Sequence, residues 1–167
     1  MEIQNIDVIR SRYKVVPRTL VFIKNKDKYL LINKNKQDSF GFKKLNGVGG
    51  HIEKGEEPFE SAHREVAEET GVEIENLELA VILFIDISEI PGIEVFVFRA
   101  DYVRGKISQS EEGTLEWMSY CEIVKSKDVL TDVPELIQIC ETHKKGCKPA
   151  ILKYSYTDSG ELRIVIR

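Results

Sequence analysis

The sequence predicts a single mixed α/β (α+β) domain, and three observations lead to this fold class. The chain has 167 residues with an apolar content of 42%, which suits one domain with its own core. Apolar and β-branched runs of strand length alternate with segments of helical periodicity. Turn-forming residues separate these runs, and no internal repeat, low-complexity segment or linker interrupts them. We therefore expect one domain over residues 1–167, with a core of about 15–167.

The first half of the chain predicts two strands and a helix. Val15–Ile23 and Tyr29–Ile32 are apolar runs split by a polar stretch, which is typical of two strands joined by a turn. The glycine-rich segment Lys43–Ile52 then leads to the helix. Pro58 suits the first helical turn because its missing N–H would be unpaired there, and Gly71 is a common C-terminal stop. We expect the helix to lie between these two residues.

The second half of the chain predicts five strands and a second helix. Pro91-Gly92 separates two β-branched runs and predicts a hairpin. A turn signal at residues 158–160 predicts a second, closing hairpin. The expected strands are Leu77–Ile87, Ile93–Val103, Leu115–Ser119, Ala150–Tyr156 and Leu162–Ile166, and the expected helix is Val133–His143.

Net charge, cysteines and histidines exclude several classes of protein. A net charge of -4 argues against a general nucleic-acid binder. No apolar run approaches the roughly 20 residues of a membrane span, and the N-terminus lacks a signal-peptide pattern. An odd number of cysteines without a CxxC pair indicates neither a disulfide framework nor a zinc site. We expect a cytoplasmic protein without a nucleic-acid polymer or a membrane as partner, either monomer or homodimer. The residues concerned are Cys121, Cys140 and Cys147, and the scattered His51, His63 and His143.

The charge is unevenly distributed along the chain. Lys24–Lys44 contains seven lysines and two aspartates, a balance of +5, whereas Glu53–Glu69 contains seven glutamates and two basic residues, a balance of -5. An acidic stretch for a metal beside a basic stretch for phosphate would suit a nucleotide polyphosphate. Alternatively, most of these lysines are solubilising residues of loops and edge strands.

The acidic helix carries carboxylates spaced for a divalent metal. Glu65, Glu68 and Glu69 stand at i, i+3 and i+4, which puts them within an arc of roughly 100° on one helix face. Like charges at this spacing repel each other, so we expect that removing one would not harm the metal-free fold. The cation that suits these oxygen ligands is Mg²⁺, or Mn²⁺ in its place. A solvated acidic helix is the alternative interpretation.

Further residues stand at fixed distances from these glutamates. Gly50, Gly55, Glu56, Arg64 and Gly71 complete the pattern Gly-x5-Glu-x7-Arg-Glu-apolar-x-Glu-Glu-x-Gly-apolar. This segment resembles the signature of the Nudix hydrolases, which cleave nucleoside diphosphates linked to another group. The resemblance implies the Nudix fold, a mixed β-sheet sandwiched between α-helices, for nearly the whole chain.

The resemblance also implies which residues hold the catalytic metals. These are the backbone carbonyl of Gly50 and the carboxylates of Glu65, Glu68 and Glu69. Metal ions would neutralise phosphate charge and help to deprotonate a water, which makes in-line attack at phosphorus feasible near neutral pH. Which glutamate acts as general base stays open.

Three residues around the metal site have supporting or additional roles. Arg64 lies about 100° around the helix from Glu65, so we expect it to orient a glutamate. The resemblance implies Glu56 as the partner of Arg64, and this pair would form a rigid support. Glu112 precedes the strand of Trp117, where many Nudix enzymes supply a further carboxylate from a loop. It is a candidate metal ligand or base, or alternatively a solvated loop charge.

Beyond the signature, the chain resembles the Nudix branch that hydrolyses oxidised purine nucleoside triphosphates such as 8-oxo-dGTP. The resemblance lies in residues 40–50, in Thr19 and in residues 130–134. Three positions depart from that branch: Leu45 and His51 replace a common Trp and Lys, and the Trp expected near Leu130 is absent.

This branch implies a set of substrate-binding residues that includes Thr19. An aromatic residue at Phe40 stacks on the base, Asn46 hydrogen-bonds it and an acidic residue at Asp132 reads its edge. Lys36 matches a lysine that contacts phosphate. Alternatively, Phe40 packs a loop, Asn46 forms a turn before a glycine and Thr19 is only a strand residue.

The expected activity is Mg²⁺-dependent hydrolysis of a nucleoside triphosphate to the monophosphate and pyrophosphate. The first alternative is hydrolysis of another diphosphate, such as ADP-ribose, a nucleotide sugar or a dinucleoside polyphosphate. A non-catalytic nucleotide-binding module is the second alternative, although such modules usually lose signature carboxylates. Capped RNA is a third, and the acidic charge balance argues against it.

Overall fold

A computed structural model describes residues 12–34, 43–86, 91–107, 113–156 and 162–166. In chain order its elements are β1 (Val15–Asn25), β2 (Lys28–Lys34), β3 (Leu45–Asn46), α1 (Pro58–Thr70), β4 (Glu73–Asp86), β5 (Gly92–Arg104), β6 (Gly113–Ser119), α2 (Tyr120–Lys125), α3 (Val133–Thr142), β7 (Ala150–Tyr156) and β8 (Leu162–Ile166).

All the strands join one mixed sheet. Its order is β3-β2-β1-β5-β4-β7-β8, and β6 pairs with β2. β1 pairs with β5 and β4 pairs with β7 in parallel, while the other pairs are antiparallel. The β1–β2, β4–β5 and β7–β8 neighbours match the three expected hairpins. The expectation of a mixed α/β fold is therefore confirmed.

Helices cover both faces of the sheet, and strand β1 shows this most directly. Leu20 and Phe22 pack on one face with residues of α2 and α3, whereas Val21 and Ile23 pack on the other face with α1. A strand that is buried on both faces is expected to be apolar at consecutive positions rather than at alternate ones. This arrangement explains the continuous apolar run in β1.

The start and end of α1 are fixed by local sequence. The Glu57 carboxylate accepts hydrogen bonds from the backbone N–H groups of Phe59 and Glu60, and Glu60 bonds back to the Glu57 N–H. This is a capping box. Pro58 opens the helix, and Gly71 ends it with φ of 68°, in the left-handed region that glycine tolerates. The helix register that orients the glutamates is therefore set locally.

Several elements of the fold differ from the sequence-based expectation. β1 continues to Asn25, β2 spans Lys28–Lys34, and the short strand β3 lies in the segment expected only as a glycine-rich approach to the helix. Helix α2 was not expected, although Ser119 and Glu122 form a capping box that is visible as Ser-x-x-Glu. Strand β4 begins at Glu73 rather than Leu77, because irregularities between Glu75 and Glu78 let it continue past the polar residues. Among the described helices, none has the length and apolar character that crossing a membrane requires.

Candidate active site

A cavity of about 670 Å³ is lined by residues of β1, β2, β3, β4, β5, α1 and α3 and of the loop that leads to α1. One end is acidic and the other is mainly apolar. The acidic end contains Gly49, Gly50, His51, Glu53, Arg64, Glu65, Glu68 and Glu69, and the other end contains Leu20, Asn46, Leu83, Ile85, Ile93, Val95, Asp132 and Leu136. A cavity of this size suits a small-molecule ligand.

The three spaced glutamates of α1 lie at different depths. Glu69 is 1% exposed and Glu65 is also buried, whereas the Glu68 side chain is 61% exposed. Ala62 and Val66 face the core beside them. The helix thus presents a graded acidic face, with Glu69 at the bottom of the cavity and Glu68 at its rim.

Glu69 is held by two neighbouring elements. Its Oε2 accepts a hydrogen bond from the Gly49 N–H at 3.0 Å, and its Oε1 lies 2.7 Å from Lys34 Nζ. Lys34 ends β2 and also donates to the Gly49 carbonyl. This ion pair opposes the expectation from like-charge repulsion, because removal of the Glu69 charge would leave Lys34 without its counter-charge. We therefore now expect that loss of this charge destabilises the metal-free fold.

Glu65 lies against a glycine that leaves it room. A Cβ atom at Gly50 would come within 2.4 Å of Glu65 Oε1, so no other residue fits there without displacing the carboxylate. Burial raises the pKa of Glu65, and the negative charge of Glu69 adds to this, while a hydrogen bond from Arg64 opposes it. The Gly50 carbonyl accepts the Thr19 N–H at 2.9 Å, and its second lone pair can still bind a cation.

Arg64 connects the carboxylates around it. Its Nε and Nη2 donate to the two oxygens of Glu56 at 2.6 and 3.0 Å, which is a two-pronged fork. Its Nη1 donates to Glu65 at 2.9 Å and to Glu68 at 3.1 Å, and Nη2 also donates to the His51 carbonyl. The hydrogen bond from Arg64 is the main reason that the pKa of Glu56 is lowered to about 2.

The residues of the acidic end fit a hard divalent cation. Carboxylate and carbonyl oxygens are the donors that Mg²⁺ and Mn²⁺ prefer, and the absence of a side chain at Gly50 lets the Glu65 carboxylate lie against that residue's backbone. Among the described residues, no three carboxylate, imidazole or thiol groups are already gathered at ligand distance. The reason is visible in the contacts: Glu69 is turned to Lys34 and Glu68 to Arg64.

Asn46 and Thr19 carry polar atoms at the cavity wall. Asn46 Oδ1 accepts the Gly47 N–H at 2.8 Å, as the alternative turn interpretation expects, and its Nδ2 donates to no acceptor among the described residues. Thr19 is 3% exposed, and its Oγ1 has no hydrogen-bond partner within the described ranges. Both side chains therefore retain hydrogen-bonding capacity toward a ligand.

Asp132 stands at the N-cap position of α3 but does not cap the helix. Its carboxyl lines the cavity instead. Burial raises the pKa of Asp132. A half-buried side chain that lines a cavity and is not used as a helix cap is available to a ligand.

Of the twelve expected site residues, eight line this one cavity. Glu56 adjoins it through Arg64. Lys36, Phe40 and Glu112 lie outside the described residues. The eight are Thr19, Asn46, Gly50, Arg64, Glu65, Glu68, Glu69 and Asp132.

Sequence reasoning missed several cavity residues. Arg18 and Lys34 line the cavity, yet no sequence signal distinguished them from the other basic residues of the chain. The apolar wall from β4 and β5 was also missed. Its only signal was the apolar character of these strands, which a buried core also explains. Its members are Leu83, Ile85, Ile93 and Val95.

Comparisons with known proteins agree with this geometry. Residues 14–138 match the NUDIX domain model. The chain is 33% identical over 116 residues to an oxidized purine nucleoside triphosphate hydrolase of Danio rerio, covering 69% of this chain and 73% of the relative. It is 32% identical over 106 residues to the Mus musculus protein of the same name, and this match covers 63% of this chain and 67% of the mouse protein.

A solved structure shows the same fold. The MutT protein from Bacillus halodurans superposes with a TM-score of 0.72 at 25% sequence identity, over 91% of this chain and 97% of that protein. The match to the family model spans most of the chain and includes the acidic helix and the loop that approaches it. The chain therefore belongs to the NUDIX family and is a Nudix hydrolase.

Proposed function

We propose that this Nudix hydrolase converts a nucleoside triphosphate to the monophosphate and pyrophosphate with the help of Mg²⁺. We further propose that its preferred substrate carries an oxidised purine, with 8-oxo-dGTP as the representative case. This proposal includes the roles of the individual side chains given below.

The observation that carries the proposal is the shared cavity. Its acidic end has the donor atoms for a cation, and its apolar end has Asn46 and Asp132 at the wall. A nucleoside triphosphate needs both, since its charge is concentrated at one end and its flat, partly apolar base at the other. A cavity of about 670 Å³ is large enough to enclose a base and part of the phosphate chain.

At the acidic end, Glu65, Glu68, Glu69 and the Gly50 carbonyl would hold the metal. When bound, Mg²⁺ supplies charge neutralisation on the phosphates and lowers the pKa of a water. The chain itself supplies orientation: Arg64 fixes the carboxylates of Glu65 and Glu68 relative to each other. Residues that hydrogen-bond to metal ligands in this way hold those ligands in the orientation that the metal requires.

At the other end, Asn46 and Asp132 would read the edge of the base. The Nδ2 of Asn46, which donates to no acceptor within the described residues, can donate to a base carbonyl. The Asp132 carboxyl lines the cavity and can accept hydrogen bonds from the base, and burial raises its pKa. An oxidised purine presents both donors and acceptors on its edge, which fits this pair. The names of the fish and mouse relatives support the same substrate class.

A nucleotide panel with product analysis tests the proposal. Oxidised and normal purine and pyrimidine triphosphates, ADP-ribose and a dinucleoside polyphosphate are incubated with the protein and Mg²⁺. The expected result is pyrophosphate release, fastest with an oxidised purine triphosphate and abolished by excess chelator. Preference for ADP-ribose, release of single phosphates or turnover that persists in chelator would contradict the proposal.

A further inference from the structure

Arg18 lies at the junction between the two ends of the cavity. It stands on β1 opposite Val95 of β5, on the apolar side, and forms a bridge with His51 next to the acidic end. The following residue, Thr19, donates its N–H to the Gly50 carbonyl. The backbone that carries Arg18 is therefore tied directly to the proposed metal end.

The charge of Arg18 is not neutralised within the described part of the chain. No ion pair joins it to a described carboxylate, and its Nε is buried without a hydrogen-bond partner among the described residues. The other long cationic side chains that line the cavity are engaged. Lys34 pairs with Glu69, Arg64 pairs with three glutamates, and Lys44 donates to the Lys127 carbonyl.

A partly buried charge without a partner is unfavourable, because the interior solvates it poorly. Burial alone lowers the pKa of Arg18. Such a cost is retained where a ligand supplies the missing anion.

We propose that Arg18 binds the phosphate chain of the substrate and contributes affinity that does not depend on a metal. This inference rests on the proposed function only in placing a polyphosphate at the acidic end. A guanidinium offers parallel N–H donors that match two oxygens of a phosphate. It also offsets the repulsion between the substrate and the carboxylates of α1.

The position of Arg18 favours phosphate over base as its ligand. Its neighbours in the cross-strand bridge and along the chain, His51 and Thr19, both adjoin Gly50. Asn46 and Asp132 already provide neutral and acidic groups for a base edge. A fully charged donor contributes most against a charged acceptor.

Binding of inorganic phosphates to Arg18 variants tests this proposal. Titration calorimetry with inorganic pyrophosphate and triphosphate, in excess chelator, compares wild type with Arg18→Gln and Arg18→Lys. Arg18→Gln is expected to weaken both by about tenfold to a hundredfold, since a hydrogen bond to a charged group is lost. Arg18→Lys keeps the positive charge but loses the paired N–H donors of the guanidinium. Its affinity is expected to lie between those of wild type and Arg18→Gln.

Two further readouts separate ligand binding from a structural role. Arg18→Gln is expected to melt at or above the temperature of wild type without ligand, because an unpaired charge is removed. With the preferred nucleotide it is expected to raise KM and leave kcat within about twofold. Arg104→Gln, which alters an exposed arginine paired with Glu73 outside the cavity, serves as the matched control and should change none of these values.

Several results would overturn the proposal: wild type that binds neither inorganic probe, unchanged affinity in Arg18→Gln, or a large fall in its melting temperature. These outcomes are distinct from failure of the proposed function, because the probes contain no base. If the nucleotide panel shows a preference for ADP-ribose while Arg18→Gln still weakens pyrophosphate binding, the substrate assignment falls and the role of Arg18 stands.

Discussion

The two ends of the cavity are built in different ways. The acidic end comes from one short segment, residues 49–69, in which Glu65, Glu68 and Glu69 follow the helical repeat of α1 and Arg64 joins Glu56, Glu65 and Glu68. The other end combines side chains from β1, β3, β4, β5 and α3, which meet only after the sheet has formed. One end is thus a local feature of the sequence, and the other is a product of the tertiary fold.

This difference separates general chemistry from substrate choice. Under the proposed function, the locally encoded acidic end would hold a cation and act on any phosphate chain placed against it, whereas the assembled end would determine which base is accepted. Substitutions at the acidic end should therefore change rates for all substrates, and substitutions at the other end should change the ranking of substrates.

The largest expected effect is on turnover when the acidic end is altered. Glu68→Gln and Glu69→Gln each remove one charge from the proposed metal site and nearly preserve shape. Each should lower kcat/KM by about a hundredfold or more, as loss of several kcal/mol of charge stabilisation implies. Steady-state rates at saturating Mg²⁺ measure this, and Glu116→Gln at an exposed position of β6 is the control.

The same two variants should differ in stability. Glu69→Gln disrupts the buried pair with Lys34 and should destabilise the metal-free protein by about 1 to 3 kcal/mol. Glu68 is exposed at the rim and its replacement should have little effect. Denaturant unfolding in chelator measures both, and equal stabilities of the two variants would contradict the graded burial of the acidic face.

The next largest effect on turnover is expected from removal of Arg64. Arg64→Ala leaves Glu56 and Glu65 without their donor and should lower turnover by about tenfold to a hundredfold, as loss of a ligand's supporting partner does. It should also lower the melting temperature, while Arg104→Ala leaves both values unchanged. Wild-type turnover in Arg64→Ala would mean that the carboxylates need no cross-link.

Discrimination between bases should change by a smaller amount. Asn46→Ala and Asp132→Ala each remove hydrogen bonds to the base, which are worth about 1 to 3 kcal/mol in discrimination. The spread of kcat/KM across purine and pyrimidine triphosphates should narrow, and hydrolysis should continue. An unchanged ranking in both variants would remove these residues from the base site.

The smallest expected effect is on the pH dependence of stability. The folded-state pKa of Asp132 is raised above its unfolded value by burial, so the carboxylate costs stability as pH rises through the folded pKa. The cost is absent below the unfolded value of about 4. Asp132→Asn should therefore be more stable than wild type at neutral pH, and the two should converge as pH falls. If the stability difference between Asp132→Asn and wild type grew as the pH fell, burial could not be the cause that raises the pKa of Asp132.

The sequence was sufficient for the local part of the site. Pro58, Gly71 and the spacing of Glu65, Glu68 and Glu69 predicted a helix with one acidic face, because these signals act within a few residues. The pairing of Arg64 with Glu56 was expected from the family resemblance, and the structure contains that fork. The hairpins were likewise visible, since turn residues determine neighbours along the chain.

The parallel pairs were not visible in the sequence. The pairing of β1 with β5 brings Arg18 beside Val95, and no local pattern specifies a contact between residues so far apart in the chain. Lys34 could not be distinguished from the other six lysines of its segment, because its role depends on the position of Glu69. Whether Asn46 serves the turn or the base could not be decided either, and the structure shows only that one of its two polar ends is used.

A double-mutant cycle with one substitution at each end of the cavity tests most directly whether the two ends act independently. The values of kcat/KM across the triphosphate panel are measured for wild type, Glu68→Gln, Asn46→Ala and the double variant. We predict that Glu68→Gln lowers kcat/KM by the same factor for every substrate, so that the ranking of substrates stays the same. Asn46→Ala should compress the ranking, and the two effects should add in free energy to within about 0.5 kcal/mol, as for independent sites. A Glu68→Gln variant that reorders the substrates, or an Asn46→Ala variant that slows all of them equally, would contradict the separation of the two ends.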